Sequence, residues 1–153
     1  MAKPEKVRLG EILLQQKLLT PEQLKLALEE QKRIGRKLGR VFIEQGYVSE
    51  EQISEALAKQ LQIPYINLKY YNIKPGVTQK LPETQARRFR AIVLEDNPKA
   101  FKIGMADPTD LIAYDEIARI LKRDIEIAVI TESQLLETVD RVYRRTGEIT
   151  GLA

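Results

Sequence analysis

The spacing of apolar residues changes once along the chain, near residue 61. Before that point, apolar residues recur three and four positions apart, as at Leu24, Ala27 and Leu28, and this spacing predicts amphipathic helices. After it, short apolar runs alternate with turn residues, a pattern typical of strands and short helices. We therefore predict an α+β fold in three parts: a helical part at 1–61, a small α+β part with a short sheet at 62–145, and a disordered tail at 146–153.

The helical part contains the same pattern twice, at residues 8–31 and 37–60, with no gap needed to align the copies. Each copy opens with a basic residue followed by Leu-Gly, and each closes with glutamine. A duplicated unit predicts a pseudo-two-fold surface, which suits a ligand or partner that is itself two-fold symmetric. The identical pairs are Leu9/Leu38, Gly10/Gly39, Gln16/Gln45, Glu22/Glu51, Gln23/Gln52, Ala27/Ala56, Leu28/Leu57 and Gln31/Gln60.

Each copy predicts two helices joined by a tight turn. Thr20 in the first copy and Ser49 in the second can cap the longer helix, and the glutamine three residues later completes a capping box. Gly35 is a helix stop after the first copy. We therefore expect two tandem helical hairpins.

The second part predicts a hairpin, because turn residues at 96–99 separate two apolar runs. An alternating run near the end predicts a further strand. The predicted elements are an extended segment at 63–68, a short helix at 82–88, strands at 90–95, 101–106 and 125–130, and helices at 111–121 and 131–145.

Composition narrows the possible functions. The 153 residues carry a net charge of +3, which permits an anionic ligand but does not demand nucleic acid. Because the chain has no cysteine and no histidine, it can form neither disulfides nor zinc sites nor histidine-based catalytic centres. It also lacks the Gly-x-x-x-x-Gly-Lys-[Ser/Thr] motif of a P-loop. No apolar run approaches the ~18–20 residues of a membrane span.

The tandem pattern resembles a known family. Both copies combine the basic-Leu-Gly opening with a helix ending in Leu/Ile-x-x-x-Leu-x-x-Gln, and residues 105–110 add Met-Ala-Asp-Pro-Thr-Asp. These features resemble the cyclic-di-GMP-binding N-terminal regulatory domain, the MshEN type, of type IV pilus and type II secretion assembly ATPases. The resemblance covers about residues 7–145.

The resemblance implies that residues 8–31 and 37–60 each take about half of one cyclic-di-GMP molecule. It implies a regulatory domain that is not itself an enzyme and that is located in the cytoplasm. It further implies a hexameric ATPase domain C-terminal to this chain and an inner-membrane pilus or secretion platform protein as a possible partner.

Two positions depart from the family pattern. Lys17 stands where the family usually has glycine, as the second copy does at Gly46, so a positive φ there would cost roughly 1 kcal/mol. Lys37 replaces the arginine that opens the motif and lacks the bidentate guanidinium fork.

Cyclic-di-GMP has two phosphates, two guanines and two-fold symmetry, and each copy contains matching groups. Basic side chains can bind a phosphate or guanine O6/N7, helix openings and glycines allow close approach, leucines can line bases, and glutamine suits a base edge. Asp107 could hold an arginine or a guanine N–H. The candidate ligand-binding residues are Arg8, Leu9, Gly10, Leu24, Leu28, Gln31, Lys37, Leu38, Gly39, Ile53, Leu57, Gln60 and Asp107.

Each candidate also has a purely structural interpretation. The leucines can be core residues, the basic and glutamine side chains can be solvated, and the glycines can permit close helix packing. Asp107 can cap the helix that begins at Leu111. Arg87, Arg88 and Arg90 form a basic cluster that can simply face solvent.

Three other functions remain open at this stage. The first is a protein–protein docking module of a secretion ATPase that binds no nucleotide. The second is a helix-turn-helix nucleic-acid binder, although acidic residues such as Glu29, Glu30 and Glu55 on the longer helices would repel phosphate. The third is a carboxylate enzyme, but no paired acids stand out. We therefore expect no nucleic-acid partner and no cofactor beyond the nucleotide ligand.

Overall fold

The computed structural model describes residues 9–74 and 76–152, with side chains described as far as Tyr143. The fold is α+β, as predicted. Its helices and strands are α1 (Leu9–Gln15), α2 (Pro21–Ile34), α3 (Leu38–Glu44), α4 (Glu50–Leu61), α5 (Glu83–Phe89), β1 (Ala91–Asp96), β2 (Phe101–Met105), α6 (Leu111–Leu121), β3 (Ile125–Val129) and α7 (Glu132–Leu152), with short 3₁₀ turns at Leu68–Tyr70 and Thr78–Lys80.

Both predicted capping boxes are present. Thr20 Oγ1 accepts the Gln23 N–H at 3.1 Å, and Gln23 Oε1 accepts the Thr20 N–H at 3.0 Å. Ser49 and Gln52 make the same reciprocal pair at 3.1 and 2.8 Å. Each box satisfies N–H groups that a helix start would otherwise leave unpaired, so α2 and α4 begin where the sequence predicted.

The two tight turns have the same backbone conformation. Lys17 has φ 61° and Gly46 has φ 77°, both in the left-handed region. The following amides donate equivalent bonds, Leu18 N–H to the Leu13 carbonyl and Tyr47 N–H to the Phe42 carbonyl, each at 3.0 Å. Lys17 therefore adopts the strained geometry that the comparison with Gly46 predicted.

The four helices interleave instead of forming two separate hairpins. The backbone of α2 packs against α3, and that of α1 packs against α4, so each longer helix pairs with the shorter helix of the other copy. Gln16 Nε2 donates to the Ala56 carbonyl across this exchange at 3.0 Å. Both copies contribute to one core, which contains Ile12, Leu13, Leu19, Ala27, Val41, Phe42, Val48, Ala56 and Leu57.

The second part is built on a three-stranded sheet with the order β1-β2-β3. β1 and β2 pair antiparallel as the predicted hairpin, and β3 returns parallel to β2 after α6. The predicted extended segment at 63–68 runs beside β3, where the Ile66 N–H donates to the Val129 carbonyl at 2.9 Å. This part has its own hydrophobic core around the sheet, with fully buried Ile103, Ile117 and Leu135.

Most element ends of the α+β part lie within one residue of the prediction, and two of the differences have a clear physical cause. β1 begins at Ala91 and not at Arg90, because Arg90 has φ 51° and ends α5 in the left-handed conformation. α7 continues past Arg145 to Leu152 and thus includes residues 146–152, for which a disordered tail was predicted. Once a helix is formed, each added residue gains a backbone hydrogen bond, so weak apolar periodicity is no barrier to extension.

Tyr143 joins α7 to the segment before α5. Its hydroxyl lies 2.8 Å from the Thr78 carbonyl oxygen and 2.6 Å from that of Leu81 and donates to them. Burial, with a smaller effect of Glu83, raises the pKa of Tyr143 to about 12.

Within the described residues, no helix has the length and apolar content to cross a bilayer.

Candidate functional site

A cleft of about 350 Å³ lies between the helical part and the α+β part. Its walls come from α3 and α4 on one side, and from Arg90, the loop after β2 and the start of α7 on the other. α4 also packs against β3, which holds the two parts against each other beside the cleft. Side chains distant in sequence therefore meet in one concave site, the usual form of a small-molecule site.

The second motif copy forms the apolar wall. Leu38 and Gly39 at the start of α3 line it, with Ile53 and Leu57 from α4. Leu9 of the first copy reaches the same wall, and a Cβ atom on Gly39 would lie only 3.2 Å from Leu9 Cδ2. Glycine at this position therefore permits the close approach of the two copies.

The opposite wall is polar and includes Asp107 and Thr109 in the loop after β2. Asp107 Oδ1 accepts the Thr109 N–H at 3.0 Å and the Thr109 hydroxyl at 2.6 Å, so these bonds fix the carboxylate beside the cleft. The helix cap proposed for Asp107 is wrong: Asp110 caps α6, and its Oδ1 accepts the Ala113 N–H at 3.0 Å. Asp107 stabilises the turn and stands at the site.

Three charged groups converge at the cleft. Glu132 Oε1 lies 3.0 Å from Arg90 Nε, and Glu132 Oε2 lies 3.8 Å from Arg40 Nη2. Lys37 adds a further positive charge to the lining of the cleft, and Glu50 adds a further negative one. The cleft thus combines an apolar surface with guanidinium donors and carboxylate acceptors.

The predicted site residues fall into three groups. Seven line the cleft: Leu9, Lys37, Leu38, Gly39, Ile53, Leu57 and Asp107. Arg8 lies outside the described residues. The other five do not line the cleft: Gly10, Leu24, Leu28, Gln31 and Gln60.

These five residues have different environments. Gly10 is buried beneath Leu24, and a Cβ atom there would lie 2.8 Å from Leu24 Cδ1, so this glycine serves close helix packing. Leu28 is 41% exposed on α2, Gln31 is half-buried, and Gln60 is exposed on α4. The structure therefore places the second copy at the cleft and much of the first copy outside it.

Several cleft residues were not predicted, chiefly Arg40, Arg90, Ser54 and Glu132. Arg40 occupies a position where the two motif copies differ, since the first copy has Glu11 there, so a search for shared residues passes over it. Arg90 was noted within a basic cluster, and Glu132 belongs to an ordinary helix-start sequence. Only the tertiary structure brings these charges together.

The basic cluster at 87–90 separates in the structure. Arg87 pairs with Glu83 at 3.0 Å and with Asp140 at 2.5 Å, while the Arg88 guanidinium lies 5.3 Å from the centre of the Phe89 ring. Arg90 alone of these three lines the cleft. Arg90 is therefore exposed to solvent, as the solvated-face interpretation expects, and also lines the candidate site.

Such a cleft can bind an anionic ligand that also has flat apolar surface. Guanidinium groups form strong bonds with phosphate, carboxylates accept N–H groups, and leucine and isoleucine side chains can cover a ring face. In the part of the chain with described side chains, no group of three or more acidic residues is arranged to hold a metal ion.

The fold and the cleft define a two-part α+β domain whose candidate site lies between its parts. The chain belongs to the MshEN domain family, whose sequence model matches residues 61–149. The matched region contains Asp107 and its turn, and the motif copies at 8–31 and 37–60 precede it.

Known proteins agree with this assignment. The type IV pilus assembly ATPase PilB of Myxococcus xanthus is 29% identical over 140 residues, covering 92% of this chain and 25% of that protein. PilB of Thermus thermophilus is 30% identical over 142 residues, covering 92% of this chain and 16% of that protein. A solved structure of MshE with cdg is 36% identical with a TM-score of 0.80, covering 90% of this chain and all of that one. The chain thus spans a quarter or less of these curated relatives.

Proposed function

We propose that this chain binds one molecule of cyclic-di-GMP through residues 8–31 and 37–60, with Asp107 completing the site. The observation that carries the proposal is the cleft itself, where the second motif copy meets the α+β part. Six of the residues expected from the motifs line a single cavity together with Asp107, although they come from segments far apart in sequence. That convergence is what a ligand site requires and what solvated or purely packing residues do not need.

The solved relative supports the choice of ligand. MshE was solved with cdg, which we take to be cyclic-di-GMP, and its fold matches this chain with a TM-score of 0.80 at 36% identity. The cleft residues suit the same chemistry, since the ligand offers phosphates to cations and guanine edges to carboxylates.

Each wall of the cleft has a distinct role in the proposed complex. Leu38, Ile53 and Leu57 cover a base or sugar, because their apolar side chains already form one surface. Lys37 and the cleft arginines bind phosphate oxygens or guanine O6/N7. Asp107, held by Thr109, accepts guanine N–H groups.

We further propose that the domain regulates an attached pilus or secretion assembly ATPase. The PilB relatives are named as such ATPases, and the chain aligns with only part of each. Binding across the cleft changes the motor only if two arrangements of the domain differ in their affinity for the ligand. An inner-membrane platform protein is a second proposed partner of the assembly.

Calorimetry with cyclic-di-GMP tests the proposal, with GTP as the control ligand. We expect saturable binding near one ligand per chain. Arg8→Ala and Arg40→Gln each remove a charged donor. Because a charge-assisted hydrogen bond contributes about 1.5–3 kcal/mol, each substitution should weaken binding roughly 10- to 100-fold. Arg119→Gln is the matched control, because it removes the same charge from an exposed position on α6 paired with Glu116.

The negative result has a definite meaning. No heat and no thermal stabilisation at high ligand concentration would contradict cyclic-di-GMP binding and leave a protein–protein docking module as the function. Equal losses in Arg40→Gln and Arg119→Gln would show that net charge, and not the cleft, attracts the ligand.

A further inference from the structure

Glu132 lies beside two positive charges of the cleft. Its carboxylate contacts Arg40 on α3 and Arg90 at the end of α5, at 3.8 and 3.0 Å. The Glu132 side chain is 28% exposed and each arginine side chain is 44% exposed, so solvent reaches all three groups. Ion pairs of this exposure are individually weak and can be exchanged for other partners.

A carboxylate and a phosphate compete for the same guanidinium donors. Both present oxygen acceptors that match the N–H groups of arginine, and both gain charge-assisted hydrogen bonds there. While Glu132 lies beside Arg40 and Arg90, its negative charge offsets part of their positive charge and repels an entering phosphate. A phosphate that binds either arginine therefore competes with the Glu132 carboxylate for the positive charge.

One of these ion pairs, Arg40–Glu132, also connects the two parts of the domain. Arg40 belongs to the helical part, whereas Glu132 begins α7 of the α+β part, so their contact crosses the cleft. A ligand that takes over Arg40 replaces this protein contact with one of its own. Replacing the Arg40–Glu132 ion pair changes which groups contact α3. A ligand favours one arrangement of the two parts of the domain only if its contacts differ between the arrangements.

We propose that Glu132 is an internal competitor of cyclic-di-GMP, which holds Arg40 and Arg90 in the ligand-free domain and leaves them when a phosphate enters the cleft. This inference rests on the proposed function. It identifies a residue that lowers affinity and a contact across the cleft that changes on binding.

Titration of cyclic-di-GMP into Glu132→Gln tests the competition. Glutamine keeps the shape but removes the charge, so we expect about three- to tenfold tighter binding than wild type. Glu137→Gln is the matched control, because Glu137 is exposed five residues further along α7 and the charge change is the same. Weaker binding by Glu132→Gln would mean that the carboxylate contacts a guanine edge of the ligand. Unchanged affinity would mean that Glu132 does not influence ligand binding. Either result would overturn the inference.

Hydrogen exchange of α3 in the absence of ligand tests the contact across the cleft. Glu132→Gln and Arg40→Gln should both speed exchange of the α3 amides at least twofold, while Glu137→Gln should not. Their affinities should move in opposite directions, since one variant removes the competitor and the other removes the donor. Unchanged α3 exchange in both variants would overturn the contact.

The two levels of failure can be told apart. If wild type does not bind cyclic-di-GMP, the proposed function and the competition fail together. If wild type binds and Glu132→Gln binds no more tightly, the competition fails and the proposed function stands.

Discussion

The two motif copies share their local geometry but differ in their surroundings. α1 and α3 each have seven residues, and α2 and α4 each begin with a capping box. Yet Leu28 in the first copy is 41% exposed, whereas its counterpart Leu57 in the second is 9% exposed. Leu57 belongs to the core that the two copies share, on a helix that also packs against β3 and borders the cleft, whereas Leu28 lies outside that core.

This comparison separates what a repeat dictates from what its environment adds. Capping boxes and turns depend on atoms a few residues apart, so they recur whenever the sequence recurs. Burial depends on what lies over a surface, and the α+β part lies against the second copy. Under the proposed function, the second half-site is formed before the ligand binds, and we expect the ligand to cover the exposed Leu28 of the first copy.

The largest expected effect tests whether the copies share one core. Leu13 and Phe42 occupy equivalent positions in the two copies, and both are fully buried in the same hydrophobic cluster. Phe42→Ala should lower the free energy of unfolding by about 3–5 kcal/mol and Leu13→Ala by about 2–5 kcal/mol. Chemical denaturation should show each variant unfolding α1–α4 in one transition. A variant that unfolds only its own copy would mean that the copies are independent.

The next effect measures the difference between the half-sites. Leu57→Ala should cost about 2–5 kcal/mol of stability and also weaken cyclic-di-GMP binding. Leu28→Ala should change stability by less than about 1 kcal/mol, because its side chain is largely exposed, but should weaken binding about fivefold through lost contact with the ligand. Calorimetry beside denaturation separates the two quantities. Unchanged affinity in Leu28→Ala would remove α2 from the proposed site.

Smaller and equal effects are expected at the helix caps. Thr20→Ala and Ser49→Ala each remove a side-chain acceptor from a capping box, and each should cost about 1 kcal/mol. Thermal unfolding of both variants measures this directly. A clearly larger loss for Ser49→Ala would show that packing of α4 on the α+β part amplifies the local defect.

The smallest effect concerns the tight turns. Lys17→Gly should stabilise the domain by up to about 1 kcal/mol, since glycine adopts the left-handed conformation without strain. Gly46→Ala should destabilise by about the same amount, because a Cβ atom there meets no neighbour within 4 Å and only the backbone is strained. Denaturant midpoints should therefore move in opposite directions. A stabilising Gly46→Ala would contradict the strain argument.

Much of the fold followed from local patterns. The capping boxes, the 96–99 turn and the bounds of α6 were predicted because caps, turn residues and apolar periodicity act over short distances. The end of α7 was not, since a helix can continue through residues with little periodicity. The cap of α6 was assigned to Asp107 when Asp110, three residues later, provides it. Neighbouring aspartates are equally plausible caps until the backbone shows where the helix begins.

The candidate site was predicted only in part. Repetition and family resemblance pointed to Leu38, Gly39, Ile53 and Leu57, which line the cleft, and the Met-Ala-Asp-Pro turn pointed to Asp107. Recurrence also pointed to Gln31 and Gln60, which do not line it. A shared ancestor preserves such pairs whatever their surroundings, so recurrence alone could not distinguish them.

The sequence by itself determined most helices and turns of this MshEN domain, because their hydrogen bonds close within a few residues. It also indicated the three strands through their apolar runs, although the pairing of β2 with β3 joins residues 24 positions apart, such as Phe101 and Ile125. The exchange of helix partners between the copies was decided only by the tertiary structure, as was the meeting of Arg40, Arg90 and Glu132. Those contacts join residues up to 92 positions apart, the separation of Arg40 and Glu132. Pairing at such a distance depends on how the two hydrophobic cores pack together, and no local pattern encodes it.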